Sequence, residues 1–274
     1  MSAAPRALTT ADTRIRITRR AARWDDREAT VADGMDFWSF AAGAANVVMQ
    51  LSQPGVGHGV VESTVTSGSL MHHPWKRART TFSYLAVAIL GNDADKAAYR
   101  AAVDVAHRQV RSTAASPVKY NAFDRDLQMW VAACLFVGIE DTYQLLRGEL
   151  TPEQAETFYR SAFTLGTTLQ VRAEQWPATR AEFDDYWNSA CQRVLMDDVV
   201  RAYLTDLIDL TMITPLLRPG FVPLLRFLTT GFLAPVFRDA LEVRWSDRRQ
   251  RWFERLFLLV SLVNRFLPQF IRQG

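Results

Sequence analysis

A ten-residue stretch, HHPWKRARTT at positions 72–81, combines two histidines, three cationic side chains and two threonines in a chain with only four histidines. Such a group could bind nucleic acid, ligate a metal ion or neutralise an anionic cofactor. A metal site is disfavoured, because adjacent histidines on a loop seldom point at one ion and no Asp, Glu or Cys follows at ligand spacing. The other two interpretations depend on the rest of the chain.

The overall charge of the chain argues against nucleic acid as a partner. The 274 residues include 32 Lys and Arg and 29 Asp and Glu, which give a net charge of +3. The acidic residues are interspersed among the basic ones, so no strongly basic face is expected. We therefore predict no nucleic-acid binding.

His107 is a stronger candidate for chemistry than the histidine pair. It belongs to a helix predicted over 95–111, where Tyr99, Val103, Ala106 and Val110 share its face at the spacing of a buried stripe. A histidine that faces a core needs partners for both ring nitrogens. Two interpretations follow: a core histidine bonded to a backbone carbonyl, or a neutral imidazole whose Nε2 binds a metal in an apolar pocket, as in haem proteins.

A haem would also explain the basic stretch. Its two propionates are anionic and need cationic partners at the rim of the pocket. Arg77 and Arg79 are suitable donors for that role.

The elements that must position these residues are predicted to be helices in one all-α domain. The sequence GVGHG at 55–59 does not complete a dinucleotide-binding pattern and is predicted to be a turn, and VVESTVTSG at 60–68 a loop or short extended segment. Capping residues mark several helices. The predicted helices begin at Asp124 (ending at Gly148), at Thr151-Pro152, at Thr179 and at Asp247 (ending before Pro268).

One apolar segment, 207–241, carries four prolines among Leu, Phe, Val, Ile and Met. The prolines are expected to divide it into short pieces. Such pieces could form the irregular wall of an apolar cavity, or ordinary core helices joined by proline turns. Composition alone favours neither.

The cellular setting is predicted from three features. Cys134 and Cys191 lie in apolar helical segments, as expected for unpaired thiols in a reducing cytoplasm. No window reaches the roughly 18 to 20 apolar residues of a membrane span. Residues 1–30 lack the apolar core of a secretory signal and form a basic arm, predicted to be partly disordered. That arm is either a solvated tail or a peripheral contact with anionic lipid.

Several motifs in order resemble the bacterial and fungal family of haem-b oxygenases that includes the latex clearing protein (a rubber oxygenase) and the mycophenolic-acid-pathway ER-bound oxygenase B. The similarity extends over about residues 35–270. The motifs are LSQPGVGHGVVES, HPWKRARTTFSYLAVAILGN, VDVAHRQVR, YNAFDRDLQMWVAACL, LTPEQAETFYR, WPATRAEFDDYW and GFLAPVFRDALEVRWSD.

The resemblance implies an all-α, single-domain helical bundle, residues 31–274, that encloses a b-type haem. It implies His107 as the proximal iron ligand, in the family's H-x-x-V motif, and Arg77 and Thr81 near the distal face. The lysine that precedes this threonine in the rubber oxygenase is Thr80 here, a departure from the pattern. Glu62 is the nearest match to the family's base-like acidic residue.

The function expected from the resemblance is a haem-b-dependent oxygenase that uses O₂ on a small apolar or lipid-like substrate, unsaturated in the rubber case. The catalytic residues would be Arg77, Thr81 and Glu62, and the cofactor-binding residues His107, Arg77 and Arg79. Two alternatives stay open: a haem sensor or carrier that turns over no organic substrate, and a haem-free helical protein that binds an apolar ligand.

Overall fold

The computed structural model describes residues 7–21, 23, 28–35, 41–63 and 71–266, and this part of the chain is all-helical, with no strand. A single antiparallel bridge joins Arg111 to Asn121. Short 3₁₀ turns occur at Val31–Gly34, Ala173–Gln175 and Pro215–Leu217. The α-helices are α1 (Thr10–Thr13), α2 (Gly43–Leu51), α3 (Pro54–Val61), α4 (Pro74–Leu90), α5 (Asp93–His107), α6 (Arg125–Arg147), α7 (Pro152–Ser161), α8 (Phe163–Thr167), α9 (Arg180–Cys191), α10 (Asp198–Ile208), α11 (Arg218–Phe232), α12 (Pro235–Ala240) and α13 (Asp247–Phe266).

The centre of the fold is α6, in which 17 of 23 residues are buried, so that neighbours cover it on nearly every side. Asp124 caps its start by accepting hydrogen bonds from the Asp126 and Leu127 amides, and Gly148 ends it at φ 91°, a conformation that favours glycine. The predicted caps at Thr151 and Thr179 are also confirmed.

Aromatic side chains supply much of the core around α6. The rings of Trp130 and Trp187 stack with centroids 5.1 Å apart, which joins α6 to α9. Phe136 packs edge-on against Phe183 at 4.8 Å. Such pairs add directional preference to the hydrophobic effect of burying large rings, so they fix how the two helices pack.

The hairpin of α4 and α5 lies at one side of this core. Asn92 and Asp95 form a capping box at the start of α5, two residues before the predicted start, and the helix ends at His107 rather than Arg111. The predicted buried stripe is wrong: α5 buries none of its residues, and Ala106 is exposed. The spacing identified a common face correctly, but protein atoms cover that face only in part.

The predicted turn at GVGHG is also wrong, because these residues form α3. Pro54 occupies the first turn of the helix, where its missing N–H costs nothing. A Cβ on Gly57 would lie 2.6 Å from the Leu51 carbonyl oxygen and 2.9 Å from Val200. The glycine therefore permits close packing of α3 against α2 and α10. Of the stretch 60–68, Val60 and Val61 complete α3, while 64–68 lie outside the described residues.

The N-terminal arm packs against the helical core over its described residues. The Trp187 indole donates to the Thr13 carbonyl at 3.0 Å, and the Gln250 amide donates to the Arg16 carbonyl at 2.6 Å. Arg14 is nearly buried and pairs with Glu140 at 2.6 Å and with Asp141. The prediction of partial disorder in residues 1–30 concerns residues that are in part outside the described ranges.

The proline-rich segment 207–241 is broken into fewer pieces than its four prolines led us to expect, because one long helix, α11, contains a proline. Pro215 and Pro235 begin a 3₁₀ turn and α12, whereas Pro223 lies inside α11. The last predicted helix, from Asp247, is confirmed as α13. No described helix is both long enough and apolar enough to span a bilayer.

Candidate functional site

Arg77 and Thr81 lie one turn apart on α4, which begins at Pro74 directly after His73. The Thr81 hydroxyl donates to the Arg77 carbonyl at 3.1 Å, and the preceding Thr80 donates likewise to Lys76 at 2.9 Å. Because each hydroxyl donates its proton to a carbonyl of the same helix, its oxygen remains available only as a hydrogen-bond acceptor for a ligand beside α4. Arg79 is exposed.

His107 is the last residue of α5 and is half-buried. Its Nδ1 lies 3.2 Å from Oε1 of Gln170, and its ring meets Phe123 edge-on with centroids 6.3 Å apart. Gln170 is itself held, because its amide nitrogen donates to Asp104 and its oxygen accepts from Gln128. The partner is therefore a side-chain amide and not the backbone carbonyl that one interpretation of the sequence required.

This contact determines which ring nitrogen of His107 carries the proton. An amide oxygen only accepts, so the hydrogen bond requires the proton on Nδ1 and leaves the lone pair on Nε2. Among the described residues nothing hydrogen-bonds to Nε2. A neutral imidazole with Nδ1–H bound to an acceptor and Nε2 free is the form in which histidine ligates metals.

The electrostatic surroundings also favour the neutral form. Burial lowers the pKa of His107 and the positive charge of Arg77 lowers it further, against the opposing effects of Gln170 and Asp104. The same Arg77 charge acts on the hydroxyls of Tyr99 and Tyr203, whose pKa values burial raises. The charge of Arg77 on α4 therefore reaches His107 and Tyr99 of α5 and Tyr203 of α10, without a hydrogen bond or ion pair to any of them among the described residues.

Glu62 belongs to a different cluster, which the sequence did not predict. Its carboxylate accepts hydrogen bonds from Ser116 at 2.5 Å, Tyr120 at 2.9 Å and His58 at 2.8 Å. The other ring nitrogen of His58 lies 2.7 Å from Asp197, the residue that caps α10. His58 is 3% exposed and holds a carboxylate on each side. Among the described residues Glu62 bonds none of Arg77, Thr81 and His107.

The pKa values in this cluster agree with an ionised carboxylate–imidazolium–carboxylate arrangement. Burial would lower the pKa of His58, but its hydrogen bonds to Asp197 and Glu62 outweigh burial and raise it. The Ser116 hydroxyl is the main cause of the lowered pKa of Glu62, and the Val200 amide of that of Asp197. His58 and Glu62 are four residues apart in the sequence, and this spacing brings the two side chains into contact only because the segment is helical.

The loop between α5 and α6, residues 108–124, connects the two clusters. After His107 the chain runs through Val110, whose carbonyl accepts from the Ala122 amide at 2.9 Å, and the Ser112 amide donates to the Tyr120 carbonyl at 2.9 Å. The loop therefore begins at the candidate ligand and returns with Tyr120 against Glu62.

The described residues contain no multi-residue metal site. No set of three or more His, Cys, Asp or Glu side chains could hold a bare metal ion there. A surface depression of about 590 Å³ lies between Tyr159, Trp176 and Glu182, away from every predicted site residue. Cys134 and Cys191 are buried free thiols, as expected.

Comparison with known proteins assigns the family. The family described as ER-bound oxygenase mpaB/B′/rubber oxygenase, catalytic domain, matches residues 32–262. The chain is 50% identical over 225 residues to the uncharacterized protein Rv2237 of Mycobacterium tuberculosis and to the uncharacterized protein Mb2261 of Mycobacterium bovis. The match covers 82% of this chain and 88% of each relative. No solved structure matches. The chain belongs to the mpaB/rubber oxygenase catalytic-domain family, a family of oxygenases.

Proposed function

We propose that the protein is a haem-b-dependent oxygenase and that His107 is the protein ligand of the haem iron. The observation that carries this proposal is the hydrogen bond from His107 Nδ1 to Gln170, which directs the lone pair of the ring to Nε2. Membership of an oxygenase family supplies the reaction class. The lack of a multi-residue metal cluster in the described ranges is compatible with haem, because the porphyrin would supply most of the ligands of the iron.

The surroundings of His107 fit a large flat apolar group with anionic edges. Val105 of α5 and Phe123 of the following loop have exposed apolar side chains, and the Phe123 ring meets the imidazole of His107 edge-on. An apolar ligand beside His107 would cover part of this surface. Arg77 supplies a cation in the same region, where it would bind a propionate or sit beside the reacting group. Arg79 is proposed as a second propionate partner at the rim.

Bound haem would supply the activation of O₂. The chain's own part is positioning and exclusion of water. Gln170 orients His107, Arg77 provides positive charge, and Thr81 presents hydroxyl lone pairs one turn away. Glu62 is already the acceptor of three hydrogen bonds and its pKa is lowered, so it is a weak base. A base-like role would require Glu62 to release one of these partners.

The proposed co-substrate is O₂, and the proposed substrate is a small apolar or lipid-like molecule, unsaturated if the chemistry follows that of rubber oxygenase. Exposed apolar side chains just before and in the first turns of α11 are also compatible with an apolar substrate. They are Leu216, Leu217, Phe221 and Leu224. The proposed location is the cytoplasm, with peripheral contact to the membrane in which such a substrate would dissolve.

The test is an absorption spectrum of the purified protein titrated with haemin. Wild type is expected to gain an intense Soret band, His107→Ala to lose it, and the matched control His73→Ala, altered at an exposed histidine, to keep it. An unchanged haem spectrum in His107→Ala would remove His107 as the ligand. A wild-type protein that binds no haem would favour a haem-free helical protein for an apolar ligand.

Oxygen consumption then separates an oxygenase from a haem sensor or carrier. The reduced haem-loaded protein would be supplied with a panel of unsaturated lipids and terpenoids in an oxygen electrode. Substrate-dependent consumption is the expected outcome. A protein that binds haem through His107 but consumes no O₂ with any member would be assigned as a sensor or carrier.

A further inference from the structure

The outward face of α13 is apolar where a surface helix is normally polar. Its inward face is ordinary, with Phe253, Phe257 and Val260 buried. Its outward residues Trp252, Leu259 and Phe266 are 56%, 60% and 77% exposed, and Leu262 and Val263 are exposed as well. At 100° per residue, Trp252, Leu259, Val263 and Phe266 fall within an arc of about 60°. The helix therefore presents an apolar stripe, interrupted by Arg255, over about 21 Å of its length.

Cations accompany this stripe and acids do not. Arg248, Arg251 and Arg255 are exposed, and the Arg255 guanidinium lies 5.7 Å from the centre of the Trp252 ring. The only acid between residues 248 and 274 is Glu254, which is 1% exposed and bonded to Thr18 and Gln250. Among the described residues these three arginines form no ion pair. The charge of the face thus calls for an anionic partner.

We propose that the outward face of α13 binds the surface of an anionic phospholipid bilayer. Leu259, Leu262, Val263 and Phe266 would enter the boundary between headgroups and acyl chains, and Trp252 would lie at that boundary, where its amphipathic ring is favoured. The arginines would contact the lipid phosphates. A lipid surface suits the face better than a second copy of the chain, because two such faces would bring like charges together, and the one exposed carboxylate of α13, Asp247, already pairs with Arg16.

The geometry describes a helix that lies on the membrane. A spanning helix needs about 20 apolar residues, and no described helix meets that requirement. The arginines are interleaved with the apolar residues along one side, a pattern typical of helices held in the interface. Lipid binding by this surface requires neither haem nor the oxygenase reaction.

The experiment is flotation of the full-length protein with vesicles of phosphatidylglycerol or of phosphatidylcholine at about 0.1 M salt. Wild type is expected to float with the anionic vesicles and to be released at high salt. The double variant Leu259→Ser/Val263→Ser should partition at least tenfold less. Arg251→Gln/Arg255→Gln should lose about fivefold for each arginine removed. Leu195→Ser and Arg193→Gln, altered at exposed positions on another surface, should float as wild type does.

A second measurement tests the proposal even if one of these variants fails to fold, because it uses wild type and the conservative variant Trp252→Phe. Vesicles containing brominated phosphatidylglycerol should quench part of the wild-type tryptophan emission, and Trp252→Phe should lose that part. Equal binding to both kinds of vesicle, or binding by the α13 variants equal to wild type, would overturn the proposal. The proposal would also be overturned if wild type formed a concentration-dependent dimer, if Leu259→Ser/Val263→Ser abolished that dimer, and if neither protein bound vesicles.

Discussion

His58 Nε2 lies 2.7 Å from Asp197 Oδ2, which joins α3 to the first turn of α10 although 139 residues separate the two side chains. Nδ1 of the same ring meets Glu62, so one imidazolium holds two carboxylates. Its pKa is raised and those of Glu62 and Asp197 are lowered. This cluster connects three parts of the fold, and its stability must depend on pH.

The sign of that dependence follows from the shifts. A raised histidine pKa contributes stability below its unfolded value of about 6.5, and that stability is lost as the pH rises through the folded value. The lowered carboxylate pKa values contribute above about 4 and are lost in acid. His58→Asn should therefore destabilise most near pH 6, by about 1–2 kcal/mol because Asp197 is partly solvated, and least at pH 9. Urea unfolding at both pH values measures this.

The control for this prediction is His73→Asn, since His73 is exposed. Its unfolding free energy should follow that of wild type at each pH. An equal loss of stability in His58→Asn at pH 6 and pH 9 would show that His58 contributes packing only and is not charged in the folded protein.

The pairing of Arg14 with Glu140 makes the N-terminal arm part of the folding unit. Glu140 is fully buried and also pairs with Arg180 at 2.9 Å. Burial alone would raise its pKa, but the two arginines lower it. Arg14→Gln should cost about 3–5 kcal/mol, because it leaves the buried Asp141 without a cation and Glu140 with Arg180 alone. Arg16→Gln, which breaks only an exposed pair with Asp247, should cost less than about 1 kcal/mol. Thermal and urea unfolding distinguish the two, and similar losses would contradict the burial argument.

Arg77 and Arg79 offer a matched test of the proposed haem site. Both lie on α4, but the charge of Arg77 reaches His107, Tyr99 and Tyr203. Arg77→Ala should retain helix content by circular dichroism and lose at least tenfold in haem retention or in O₂ consumption. Arg79→Ala should lose less, as expected of a residue at the rim. Loss of helix content in Arg77→Ala would indicate a structural role instead.

Gln170 should act on haem through His107. Gln170→Leu removes the acceptor that keeps the proton on Nδ1, so haemin affinity should fall 10- to 100-fold, as for other partners of metal-bound histidines. Titration with haemin followed by absorbance gives the affinity. Gln192→Leu is the control, because Gln192 is exposed. Unchanged affinity in Gln170→Leu would mean that the hydrogen bond does not prepare His107 for a metal.

Local signals in the sequence predicted the starts of α6, α7, α9 and α13 well. Caps such as Thr151 and Asp124 act through hydrogen bonds to residues two or three positions away, so a short stretch of sequence contains all the information. The class of the fold followed for the same reason. The apolar spacing around His107 also identified a common face correctly.

The failures arose where distant contacts decide the outcome. Three glycines indicated a turn at GVGHG. The segment is a helix instead, because Gly57 lets that helix pack closely against Leu51 and Val200, and this packing outweighs the low helix propensity of glycine. The His58–Asp197 pair was invisible for the same reason, since nothing near His58 in sequence points to residue 197. On α5, the spacing of the apolar residues identified those that share a face with His107, but it did not show whether other parts of the protein bury that face.

The uncovered face of α5 has a consequence for the lifetime of the protein in the cell. No side chain of α5 is buried, and polar contacts such as Tyr99 to Thr80 and Arg100 to Thr167 hold the helix in place. A helix held in this way opens at low free-energy cost, and such openings are where proteases begin to cut. The haem proposed to bind beside α5 would close that route, and in that case the supply of haem would control how fast the chain is degraded.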